Sequence, residues 1–99
     1  MAKLKPIHPG EILREEFMVP LRLNANKLAL ALRVPAPSVY DIVHEERGIS
    51  PEMALRLGYF FGTTPDFWLN LQSEFELRVV RNKKEAMVKT QVRPIKVSA

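Results

Sequence analysis

Residues 30–43 read LALRVPAPSVYDIV, and the fold turns on why prolines sit inside this run. An apolar, helix-spaced segment ends at Leu32, another carries Val39, Ile42 and Val43, and Arg33-Val34-Pro35-Ala36-Pro37 lies between them. A proline in a helix interior costs roughly 3 kcal/mol, so the helix must break here. Pro37 falls where a new helix would have its first turn, a place where its missing N–H had no partner to lose. Pro35 stiffens the corner ahead of it. Leu28 and Leu32 of the first segment can then meet Val39 and Ile42 of the second. The small Ala29 lies where the two helices cross, and Val34 fills the turn. The stretch therefore predicts a tight helix-turn-helix corner rather than a loop. A plain corner in a helical bundle would share much of this pattern, and a DNA-reading helix-turn-helix is the favoured interpretation.

Working outward, Asn24 or Ala25 begins the first of these helices. Upstream, Pro9-Gly10-Glu11 opens another: proline suits the first turn, and an early Glu complements the helix dipole. Ile12, Leu13, Phe17 and Met18 give it an apolar face, and Val19-Pro20 stops it. Ser50-Pro51-Glu52 is a clear start signal, followed by inward-facing Ala54, Leu57, Gly58 and Phe61 and a stop at Gly62. Thr64-Pro65-Asp66 repeats the start signal ahead of Phe67, Trp68, Leu71 and Phe75. Past Leu77 charged residues interrupt the apolar ones. From Val92 to Val97 apolar and polar residues alternate around Pro94, which permits an edge strand but not a central one. The prediction is an all-α protein of five helices: an irregular arm over residues 1–8, a helix-turn-helix domain over 9–77, and a basic C-terminal extension over 78–99, helical at first and then frayed.

Ninety-nine residues suit one domain with a modest core, and the absence of cysteine excludes disulfides and thiolate metal sites. MAKLKPIHPG has no apolar core of a secretory leader and no run approaches membrane-spanning length, so the expected location is cytoplasmic, with no membrane partner. The net charge of +4 is unevenly placed. Residues 1–77 hold eight Lys or Arg against ten Asp or Glu, whereas residues 78–99 hold seven basic residues and one acid, Glu85. The basic character belongs to the extension, which is either a solvated end or a contact for nucleic acid or an acidic protein.

HPGEILREEF (residues 8–17), the helix-turn-helix, RGISPEMALRLGYFFGTTPDFWLNLQ (residues 47–72) and the helix that follows together resemble HigA-type antitoxins. These are members of the lambda-repressor-like (Xre) transcription regulators. The resemblance spans roughly residues 7–77, and the HPGE and G-T-x-P-x-F-W-L-N-L-Q blocks are its most specific parts. It implies a five-helix lambda-repressor-like DNA-binding domain in a small homodimer encoded beside a toxin. The toxin would be a RelE-like, ribosome-dependent mRNA endonuclease. The antitoxin would neutralise it by binding and would repress its own operon by binding operator DNA.

In such motifs bases are read by side chains early in the second helix and one or two turns later, here Ala36, Pro37, Ser38, Tyr40, Asp41 and His44. Ala36 and Pro37 can offer only apolar contact, for instance to a thymine methyl. Ser38, Tyr40 and His44 can hydrogen-bond to bases or phosphates. Asp41 can accept from a cytosine amino group but repels phosphate. Asn26, Lys27, Arg33 and Arg47 complete the candidate DNA-binding set. Two places depart from the pattern the resemblance implies. Arg33 stands where the turn usually has glycine, and a left-handed backbone there costs it roughly 1 kcal/mol. Beyond the second helix, His44-Glu45-Glu46-Arg47 replaces an Asn-Gly turn followed by basic residues. The second weakens phosphate clamping at that loop, whereas the charge of Arg33 can compensate by reaching a phosphate, and Lys27, Arg47 and the extension remain to supply further contacts.

No catalytic constellation is visible, so no enzyme is expected. Gly48 occupies the second histidine's place of an HExxH motif begun by His44-Glu45, and neither a metal nor a cofactor is called for. Phe67, Trp68, Leu71 and Phe75 are either core or, in part, a dimer interface, where aromatic anchors are favoured. Exposed Glu11, Arg14, Glu15 and Glu16 on the first helix are candidates for toxin binding, since an mRNA-cutting toxin is generally basic. The alternative function is a protein-interaction module or stand-alone transcription regulator with weak DNA binding.

Overall fold

The computed structural model describes residues 4–96, which contain helices and no strand. Helix α1 begins as α-helix over Pro9–Ile12 and continues without a break as π-helix over Leu13–Met18. It is followed by α2 (Ala25–Leu32), α3 (Ala36–Val43), α4 (Pro51–Phe61) and α5 (Pro65–Gln91). The five expected helices are therefore present. The π-turn, marked by the Val19 N–H donating to the Arg14 carbonyl at 3.0 Å, is a local geometry that residue spacing did not reveal. It widens the turn so that Leu13 and Met18, five residues apart, are both buried.

One core holds the helices together. α2 contributes Leu28, Ala29 and Leu32, α3 Val39, Ile42 and Val43, α4 Met53, Ala54 and Leu57, and α5 Trp68. Four of the five starts carry a side-chain cap: His8, Asn24, Ser50 and Thr64 accept backbone N–H groups at α1, α2, α4 and α5, while α3 follows Pro35 without one. The stops are less ordinary. Arg22, Arg33 and Glu45 take left-handed backbone (φ 54°, 60° and 63°) after α1, α2 and α3, and only α4 uses a glycine, Gly62.

The last helix runs past Leu77 to Gln91 as one piece. Its N-terminal part packs on α4. Further along, Asn82 donates to the Leu4 carbonyl at 2.8 Å and ties the N-terminal arm to α5. Residues 83–96 are exposed. Arg81 and Lys89 flank Glu85 one turn away on either side, at 3.3 and 3.9 Å. Residues 92–96 form no regular element, and Val97, the end of the alternating stretch, lies outside the described residues. No described helix is long and apolar enough to cross a membrane.

Candidate nucleic-acid interface

The helix-turn-helix is α2, a three-residue corner at Arg33-Val34-Pro35, and α3. Asn24 starts it, its Oδ1 accepting from Lys27 N at 2.8 Å. At the other end of α2 the Val34 N–H reaches back to the Ala29 carbonyl (3.1 Å) and the Arg33 N–H to that of Leu30 (3.2 Å). This closure needs left-handed backbone at Arg33. Arg56 of α4 completes the stop by donating to the Leu32 carbonyl at 2.8 Å. Nothing in the local sequence marked Arg56 for this, because its partner lies 24 residues away.

Two further contacts from α1 set the position of α3. Gly10 lies so close to α3 that a Cβ on it would fall 1.8 Å from the Ile42 carbonyl oxygen. Arg14 donates from Nη1 to the carbonyl of Val43 and lies near Glu15 (3.8 Å) and Glu45 (3.7 Å). The HPGE block thus has a structural reading: His8 caps α1 through Nδ1, Pro9 takes its first position, and Gly10 permits the crossing. His8 is buried, with its ring edge-on to Phe75 at 4.8 Å. Burial holds its pKa below the ordinary 6.5, with Glu45 opposing the shift.

Braced this way, α3 buries Val39, Ile42 and Val43 and turns its other side outward. Pro37, Tyr40 and His44 are exposed, and Ala36, Ser38 and Asp41 half-buried. The Tyr40 and His44 rings stack one turn apart (5.7 Å, 14° between planes). Asp41 is paired: its Oδ2 lies 3.2 Å from Nη2 of Arg47, while its own carbonyl accepts from Glu46 N (2.8 Å) and Arg47 N (3.1 Å). The charge of Arg47 is therefore shared with Asp41. Lys27 and Arg33 form no ion pair among the described residues, and Asn26 is exposed in the first turn of α2. Between α3 and the start of α4 lies a cleft of about 300 Å³ whose polar lining is Ser38, Arg47, Ser50, Glu52 and Arg56.

The second block is also structural. Thr63 accepts from Trp68 Nε1 at 2.8 Å, and Gln72 accepts from Ile49 N at 2.8 Å, which fastens the α3–α4 loop to α5. Trp68 has none of its surface exposed and is packed by Phe17, Phe61 and Phe67, so it is a core residue and not an interface anchor. Leu71 and Phe75 are half-buried, and Phe67 remains exposed. On α4 the exposed Leu55, Tyr59 and Phe60 line a shallow depression of about 370 Å³ with Ala31 and Leu32. A Leu55–Tyr59 spacing of four, opposite the buried Leu57, was the signal for this surface. Of the first-helix charges, Arg14 is engaged internally, Glu11 is half-buried, and Glu15 and Glu16 are exposed.

No protein-family model matches the chain. The chain is similar to antitoxin HigA-1 of Vibrio cholerae, at 33% identity over 96 residues that cover 97% of this chain and 90% of the relative. Among solved structures, that of the Pseudomonas aeruginosa antitoxin HigA with the higBA promoter matches with a TM-score of 0.88 and 47% identity, over 93% of this chain and all of the other. Antitoxin GraA in complex with its operator matches with a TM-score of 0.88 and 43% identity, over 98% of each chain.

Proposed function

This chain belongs to the HigA-type antitoxins, lambda-repressor-like helix-turn-helix regulators, and from that premise we propose that it binds operator DNA to repress its own operon and neutralises a partner toxin. The observation that carries the reading is α3 itself. It is buttressed by Gly10 and Arg14 of α1 and packed against α2, and its free face carries Pro37, Ser38, Tyr40, Asp41 and His44. Relatives of nearly the same backbone have been solved with promoter or operator DNA. Asn26, Lys27 and Arg33 would hold phosphates beside it, with Ala36 and Pro37 against base edges and Arg47 at the far end.

The protein acts as a homodimer in this reading, because two recognition helices about 34 Å apart read a palindrome with half-sites one DNA turn apart. Tyr59, Phe60 and Phe67 are exposed aromatic side chains for that contact, with the half-buried Leu71 and Phe75 as further candidates on α5. The toxin is a basic, RelE-like mRNA endonuclease. Glu15 and Glu16, with Glu45 and Glu46 at the end of α3, offer it an acidic surface, and Glu11 and Arg14 lie on the same helix.

The first test is fluorescence anisotropy on the chain's own upstream DNA and on a scrambled duplex, across a salt series. A preference of at least ~10³ supports a sequence-specific repressor, and the salt slope counts phosphate contacts. Equal, steeply salt-dependent binding to both duplexes would favour a second reading, a protein-interaction module whose basic extension grips polyanions. The Asp41–Arg47 pair and the acidic Glu45-Glu46 turn, both at the expected DNA face, are what keep that reading in view. Reversing Glu15 and Glu16 to Lys should weaken binding of the neighbouring gene's product, as measured by calorimetry. Unchanged affinity would move the toxin surface elsewhere.

A further inference from the structure

Resting on the DNA-binding reading, we propose that Asp41, held by Arg47, is the base-reading residue of α3 and selects cytosine at one symmetric position of each half-site. An acid on a recognition helix is at first sight misplaced, because it faces a phosphate-lined groove. The structure resolves that conflict locally. Oδ2 of Asp41 is 3.2 Å from Nη2 of Arg47, and the loop is clamped by two hydrogen bonds from Glu46 N and Arg47 N onto the Asp41 carbonyl. The guanidinium is thus brought back beside the carboxylate, offsets its charge and limits its rotation. The other oxygen has no partner among the described residues.

Asp41 also occupies the right place along the helix. It is one turn beyond Pro37 and nearly one turn before His44, on the side away from buried Val39, Ile42 and Val43. Its neighbours Ala36 and Pro37 lack side-chain hydrogen-bonding groups, and the stacking of Tyr40 on His44 restricts both rings, whereas the Asp41 carboxylate is held in place by Arg47.

The choice of base follows from the donor and acceptor pattern of the major groove. A carboxylate only accepts hydrogen bonds. Cytosine offers the N4 amino group as a lone donor. Adenine sets its N7 acceptor beside the N6 donor, and guanine and thymine present acceptors, all of which repel a carboxylate. An asparagine at the same place would donate to N7 and accept from N6, so Asp41→Asn should transfer the preference from cytosine to adenine.

The experiment is competition binding of the full chain to a panel of duplexes derived from its upstream DNA, each base pair of the half-site replaced in turn. The wild type, Asp41→Asn, Asp41→Ala and Arg47→Gln proteins are compared, with circular dichroism confirming that each is folded. Wild type should lose roughly fivefold or more at one symmetric C·G position. Asp41→Ala should be indifferent there, and Asp41→Asn should prefer A·T there. Arg47→Gln should weaken binding to every duplex, because it uncovers the carboxylate. Base profiles of Asp41→Asn and Asp41→Ala that match the wild type's would overturn the inference, even if their affinities fell uniformly, since Asp41 would then only anchor Arg47. Failure of the wild type to distinguish its own DNA from a scrambled duplex would instead remove the DNA-binding reading on which the inference stands.

Discussion

At the scale of single residues, the two N-terminal positions that matter most are small or buried. Gly10 is required because its missing side chain lets α1 meet the Ile42 carbonyl. Gly10→Ala should cost at least about 2 kcal/mol, in the range of overpacked cores, and urea unfolding would register it as a lower midpoint. An unchanged midpoint would mean that α1 can move off α3 at no cost. His8 gives a second prediction. Its neutral imidazole is what accepts the Gly10 N–H, and burial holds its pKa below 6.5 in the folded chain. Below pH 6.5 the unfolded chain therefore binds the proton more readily. The stability from this group is fully present above 6.5 and is lost as the pH falls through the lowered folded value. Melting temperatures measured between pH 7 and 5, on the usual titration range of histidine, should fall for the wild type and stay flatter for His8→Asn, which keeps an N-cap acceptor.

Among the elements, the stops of the helices are unusual. Arg22, Arg33 and Glu45 each adopt the backbone that glycine takes most easily, at roughly 1 kcal/mol apiece. At Arg33 this strain and the expected function pull in opposite directions. Arg33→Gly should raise the melting temperature while lowering affinity for DNA and reducing the salt slope by about one, the signature of one lost phosphate contact. If stability rose and DNA binding did not change, Arg33 would be no part of the interface. Helix starts, by contrast, were plain in the sequence. Ser50-Pro51-Glu52 and Thr64-Pro65-Asp66 announced α4 and α5 because the cap and its target N–H lie within three residues. The π-turn in α1 had no such local mark, since it is chosen by what Leu13 and Met18 must both reach.

Over the whole molecule, charge is unevenly placed. The body through residue 77 is slightly acidic, while the remainder carries seven of the fifteen Lys and Arg residues on the outlying end of α5 and beyond. The exposed apolar side chains Leu55, Tyr59 and Phe60 lie on α4. If these mediate dimerisation, Tyr59→Asp should shift sedimentation toward the monomer and weaken operator binding more than it weakens binding to a single half-site, the mark of lost avidity. A dimer that survives this change would place the contact on α5 instead.

Sequence alone determined the helix count, a corner within residues 33–37 and the buried positions of α2 and α3. Each of these depends on residues within a turn or two of one another, where proline geometry, capping and 3.6-residue periodicity act directly. Tertiary structure alone decided the rest. It put Trp68 wholly inside, since burial depends on Phe17 and Phe61 arriving from other helices. It gave Arg14 and Arg56 to the carbonyls of Val43 and Leu32, bonds spanning 29 and 24 residues. It also placed Arg47 beside Asp41, so that an acid which looked hostile to DNA became part of a compensated pair. These contacts join atoms that the chain brings together only by folding, and no local spacing encodes them.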